Sequence, residues 1–193
     1  MTAPYLQAPY PDRRIASIAA TVFILDQFTK LLVLKWLSYG DEKTVVPGFF
    51  RLTHVVNTGA AWSMFTGNNG VLAIVALVAF VALYFARHHF GADLPLGQLA
   101  LGLIFGGIAG NFVDRILPGR HHVIDFLSFY HNFKSGREYD FPAFNVADSA
   151  ICTGVALVFL LNWKRDMPPE IPPATPPQTP PENHHPAAHT PQP

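Results

Sequence analysis

Two aspartates, Asp125 in the run VIDF and Asp148 in the run NVADSAI, each stand at an edge of strongly apolar sequence. A carboxylate at the mouth of a membrane segment is costly to ionise, because loss of water favours the neutral acid. Two that converge, one held as acid and one as base, can activate a water molecule. Like charges held close do not both ionise, so such a pair keeps one shared proton near neutral pH. The base would take a proton from water as it attacks its target; the acid would steady the negative charge that develops and then help the leaving group depart. Which aspartate plays which part is open on the sequence, and titration belongs to the pair. Asn145, one turn before Asp148, and Asn111 can hold carboxylates by hydrogen bonds. Arg115 set against the pair would keep both acids ionised, so it is expected to brace loop carbonyls or Asp114 instead. The DTG signature of soluble aspartic proteases is absent, so any kinship with pepsin-type enzymes is chemical only.

The elements that must position these groups follow from composition. Of 193 residues, 50% are hydrophobic and only 13% charged, against roughly a quarter charged in soluble domains. The net charge is zero, which gives no support to a nucleic-acid partner. The apolar residues gather in four blocks, the pattern of a small multi-pass membrane protein. One cysteine, Cys152, excludes an internal disulfide; with no basic partner in view it reads as a packing residue. The expected fold class is an all-α membrane protein of four transmembrane helices. A small β-rich subdomain and a short helix or loop complete it outside the membrane.

The first block follows Arg13 and Arg14 and runs into Asp26, Gln27 and Lys30 rather than a cleavage site, so it reads as a retained helix. Asp26 and Lys30 are spaced i,i+4 and can pair. Two readings stand: an ion pair neutralising charges inside a helix, or a substrate-facing role. Residues 40–65 mix turn formers with the β-branched and aromatic run FFRLTHVV, which suits short strands. Asn57 and Gly59 follow, where small or turn-forming residues let backbones approach closely. The plainer reading is an ordinary loop; the sharper one is a sheet edge offered to an extended peptide.

Gly70–Ala86 is the cleanest span. The third block carries Gly102, Gly106 and Gly110 at i+4 spacing, a surface for close helix packing, and ends in Asn111, Asp114 and Arg115, able to form one polar cluster. Residues 118–142 read as a polar, aromatic connection, so that Asp125 and Asp148 would enter helices at one depth. The fourth span runs over Ala143–Trp163. The domain plan is a flexible leader over 1–12, a four-span unit over 13–166 and a disordered tail over 167–193, which holds 11 of the 18 prolines. His184, His185 and His189 in that tail read as solvated, and no metal site or cofactor is expected. Four spans place both termini on one side. Basic residues are balanced between the two faces, while those tight against the spans favour cytoplasmic termini.

The blocks DQFTK, NTGAAWSMF, GGIAGNFVDRI, VIDF and FNVADSAI, in this order, resemble those of the lipoprotein signal peptidases, or type II signal peptidases. The resemblance covers about residues 15–163. It implies an intramembrane aspartic peptidase of the bacterial plasma membrane, with Asp125 and Asp148 as the catalytic pair. Asp26, Lys30, Asn57, Asn111, Arg115 and Asn145 would line or support the site, with Gly59 and Asp114 beside them. It further implies cytoplasmic termini, a site at the outer face, and cleavage just before the diacylglyceryl-modified cysteine of a prolipoprotein. Membrane lipids and globomycin-type inhibitors are the other expected partners, and a monomer is expected. Three rivals make different demands: a proton-coupled transporter using the buried aspartates, a serine–lysine peptidase using Ser63 with Lys30, and a non-enzymatic adaptor working through the tail.

Overall fold

A computed structural model describes residues 11–59, 67–133 and 138–166. Most of the leader, Ser63 with its neighbours 60–66, residues 134–137 of HNFKSGREYD, and the proline-rich tail lie outside the described residues.

Among the described residues four helices are long and apolar enough to cross a membrane: α1 (Pro11–Trp36), α2 (Asn69–Ala86), α3 (Pro95–Ile116) and α4 (Val146–Asp166). Proline at the start of α1 and of α3 suits a first turn that has no partner for its N–H. Arg115 in the last turn of α3 complements the negative end of that helix. Helix α3 is central, packed between α1 and α4, with α2 on its flank. Its glycines make this approach possible. A methyl group at Gly106 would lie 2.6 Å from the Ala19 carbonyl oxygen on α1, and one at Gly107 would lie 2.5 Å from the Ala147 carbonyl oxygen on α4. Gly154 of α4 returns the contact against the Ala100 carbonyl oxygen. Away from α3, large apolar side chains such as Phe28, Val78, Phe85 and Phe159 face outward, as lipid contact requires.

The second layer is a four-stranded antiparallel sheet in the order β1 (Glu42–Val46), β2 (Phe50–Asn57), β3 (Val123–Asn132), β4 (Glu138–Asp140). Strands β1 and β2 fall inside the region expected to be β-rich. The expectation of a short helix or loop across 118–142, with Asp125 at the mouth of a helix, is corrected: Asp125 sits in β3, the longest strand. VIDFLSFY carries apolar and aromatic residues on both faces and has little period-2 alternation to mark it. Its strand character comes from pairing with β2, and Ile124 and Phe126 bury one face against Val33 of α1.

Two features of register place the site. Asn57 pairs with Val123 and Val55 with Asp125, so the end of β2 lies beside the start of β3. On the other edge of β3, Leu127 forms an antiparallel bridge with Phe144: Phe144 N donates to Leu127 O at 3.0 Å, and Leu127 N donates to Phe144 O at 2.8 Å. That bridge sets the residue before α4 against Asp125.

Candidate active site

Asn145, the residue before helix α4, opens it with a reciprocal cap. The Asp148 N–H donates to Asn145 Oδ1 at 2.9 Å, and the Asn145 N–H donates to Asp148 Oδ2 at 3.2 Å. This is the capping-box exchange between the residue before a helix and the third residue within it, which satisfies two otherwise orphaned donors. With its oxygen committed to the helix, the Asn145 amide turns its NH2 outward and donates to Asp125 Oδ1 at 2.7 Å. A single asparagine therefore joins both carboxylates, although they lie on a strand and a helix.

Two further asparagines are polarised in the same manner. Asn57 Oδ1 accepts from the Gly59 N–H at 2.9 Å, so its Nδ2 donates to Asp125 Oδ2 at 2.8 Å. Asn111 Oδ1 accepts from Lys30 Nζ at 3.0 Å and from Asn145 Nδ2 at 3.2 Å, so its Nδ2 donates to Asp148 Oδ1 at 2.7 Å. These orientations follow from the network of donors around each amide. Each carboxylate thus accepts two N–H groups, enough to hold it in one rotamer and to tolerate its charge. Opposing them is burial, with Asp125 only 2% exposed. Burial, reinforced by the charge of Asp148, pushes the Asp125 carboxyl up to about 6 despite the amides of Asn57 and Asn145.

Beneath this pair, Asp26, Lys30 and Asp114 are fully buried. Lys30 Nζ donates to Asp26 Oδ2 at 2.8 Å and to Asn111, and lies 2.6 Å from Asp114 Oδ2 as a charge contact without hydrogen-bond alignment. Of the two readings of Asp26 and Lys30, the geometry is that of the ion pair. The other Asp26 oxygen accepts the Ala147 N–H at 3.0 Å, so a carboxylate from α1 caps the positive end of α4. Asp26, Asn111 and Asp114 surround the Lys30 ammonium. Arg115 touches neither carboxylate of the pair. It donates to the Asn111 carbonyl at 3.1 Å and to the Gly59 carbonyl at 2.9 Å, bracing a loop rather than Asp114. Among the described residues no three His, Cys, Asp or Glu side chains converge as a metal ion would need.

All ten residues singled out in the sequence therefore lie in one continuous network. Two members were missed, Gln27 and Arg120. Gln27 Nε2 lies 3.2 Å from Asp26 Oδ2 and 3.1 Å from both Gly110 O and Asp114 Oδ1; an uncharged amide inside an apolar run was its only signal. Arg120 reaches back from the connection after α3 to Asp114 and Gln27.

A family model described as Signal peptidase (SPase) II matches residues 18–164. The chain belongs to the signal peptidase II family. A lipoprotein signal peptidase of Symbiobacterium thermophilum is 41% identical over 143 residues, 74% of this chain and 90% of that protein. One of Geobacter metallireducens is 42% identical over 154 residues, 78% and 91% of the two chains. A solved bacterial membrane enzyme superposes with a TM-score of 0.69 at 32% identity, covering 81% of this chain and 93% of its own. As a member of this family the chain is a multi-pass bacterial membrane peptidase. The family match ends at 164, short of the proline-rich tail.

Proposed function

We propose that this signal peptidase II removes signal peptides from bacterial prolipoproteins by an aspartic mechanism in which Asp125 and Asp148 share a water and a proton. The observation that carries the reading is Asn145, whose amide donates to Asp125 while its backbone N–H donates to Asp148. A group that touches both carboxylates brings them to one place and leaves each an oxygen lone pair for water. One carboxylate, ionised, takes a proton from that water as it adds to the scissile carbonyl. Its partner, protonated, donates to the developing oxyanion, and the proton gathered by the base passes to the departing amine. Asp125, with a pKa near 6, sits where a shared proton is available at neutral pH.

The remaining parts of the reading follow from the same site. Asn57, Asn111 and Asn145 orient the pair, Arg115 and Gly59 fix the loop beside it, and Asp26, Lys30 and Asp114 anchor the helix ends below. The substrate is a prolipoprotein whose cysteine carries a diacylglyceryl group, cut just before that cysteine. Its acyl chains stay in the bilayer against the apolar faces of the spans while the peptide lies by the sheet. The sheet and both aspartates stand at the outer face of the plasma membrane and the termini in the cytoplasm, with a monomer as the working unit. Residues 13–166 carry the activity, and the leader and tail lie outside it. Globomycin-type peptides would compete for this site.

The test is Asp125→Asn and Asp148→Asn, each assayed in detergent on a diacylglyceryl-modified peptide. Each keeps side-chain shape and loses proton exchange, so each should lower cleavage by about 10³-fold or more. Ser63→Ala should leave cleavage near the parental rate. Cleavage by either asparagine variant within tenfold of the parent would overturn the aspartic assignment.

A further inference from the structure

The ion cluster below the aspartates is out of balance on its helices. Asp26 on α1 and Asp114 on α3 are two fully buried carboxylates, and Lys30 is the single ammonium that the helices set between them. A buried charge left without a counter-charge is among the most destabilising features a fold can carry. The second cation in contact with these carboxylates comes from outside the helices. Arg120 stands in the connection between α3 and β3, its side chain 12% exposed, and Nη1 reaches Asp114 Oδ1 at 2.7 Å and Gln27 Oε1 at 3.2 Å. The turn that aims it there is unusual. His121, the next residue, has φ of 54°, a left-handed conformation that side chains other than glycine rarely adopt, and the Arg120 and His121 N–H groups both return to the Leu117 carbonyl.

We infer that Arg120 is a positioning residue for the reacting pair, acting through charge balance of the Asp26–Lys30–Asp114 cluster. Two routes lead from it to the aspartates. Arg120 holds Asp114 and Gln27; Gln27 and Lys30 hold Asp26; and Asp26 holds the Ala147 N–H, one residue before Asp148. Arg120 also stands five residues before Asp125, so the same bonds pin the start of β3 to α1. With its charge removed, a surplus carboxylate pulls on Lys30, which also holds the oxygen of the Asn111 amide that donates to Asp148. The inference rests on Asp125 and Asp148 being the reacting pair.

The experiment compares Arg120→Gln, Arg120→Lys and the double variant Asp114→Asn/Arg120→Gln, in the full chain, by melting in detergent and by kcat and KM on a diacylglyceryl-modified peptide. Arg120→Gln should lower kcat roughly tenfold with KM within about twofold, because the Arg120 guanidinium bonds to the buried cluster and its loss misplaces the pair. Arg120→Lys, which keeps the charge, should return kcat to within about threefold of the parent. The double variant neutralises the carboxylate together with its cation, and should melt above Arg120→Gln by about 5 °C. Parental kcat in Arg120→Gln, equal losses in Arg120→Gln and Arg120→Lys, or no recovery in the double variant would each overturn the role. If Arg120→Gln does not fold, the double variant must, or the role is overturned. If the parent itself does not cleave the peptide, the functional reading fails, while the melting comparison still judges the charge balance.

Discussion

At the scale of residues, three asparagine amides share one logic: a donor or helix end claims the oxygen, and the NH2 is left for a carboxylate. Asn145 combines this with the start of α4, and its two duties are separable by mutation. Asn145→Ser keeps a good helix cap and loses the NH2, so its melting point should stay near the parent while cleavage falls about 10²-fold. Asn145→Ala loses both and should cost a further ~1 kcal/mol or more in stability. Thermal melts and rates on the two variants check this. The pH dependence of stability carries the mark of Asp125. Its folded-state pKa of about 6 is above the ordinary carboxylate value, so the fold favours the neutral acid. The stabilisation is full below the unfolded value near 4 and is lost as pH rises through about 6. Lowering pH from 7 to 5 should therefore add on the order of 1 kcal/mol, and Asp125→Asn should remove that increment. A melting curve in detergent that is flat over this range would refute it.

At the scale of elements, glycine-lined contacts along α3 set how near α1 and α4 come to one another. Gly107 and Gly154 line the same α3–α4 contact at different depths, Gly107 against Ala147 beside Asp148 and Gly154 against Ala100 and Ile104. An alanine at either site meets backbone and must push α4 away, so both variants should melt lower. Gly107→Ala should lose cleavage at least tenfold more than Gly154→Ala, since only the first moves the cap of α4. Rates at matched folded fraction distinguish the two. The four spans were legible from apolar length, and β2 from the β-branched and aromatic run FFRLTHVV, whereas β1 begins at Glu42, a residue whose type suggests a turn. Strand β3 was not legible, because its signal lies in pairing with β2 and Phe144, neither of which a local window contains. The same distance hid part of the polar network. Gln27 meets Asp114 across 87 positions and Arg120 across 93, and neither has an i,i+4 neighbour to betray the contact. Asp26 with Lys30, one turn apart, was readable as a pair.

At the scale of the whole molecule, membrane spans, sheet and catalytic candidates meet at one junction, and nothing in the family match reaches past residue 164. Deletion of 167–193 should accordingly leave cleavage of a diacylglyceryl-modified peptide within about twofold of the full chain, measured in proteoliposomes. An adaptor working through that tail would fail the same test. The reciprocal bonds between Asn145 and Asp148 have a consequence for pharmacology. Since one side chain serves both the helix start and the proposed pair, a compound gripping Asn145 would confront bacteria with a target that cannot alter its grip point without losing cleavage. Escape variants selected under such a drug should collect around Asn145 rather than at it, or in expression level, and sequencing them would show it.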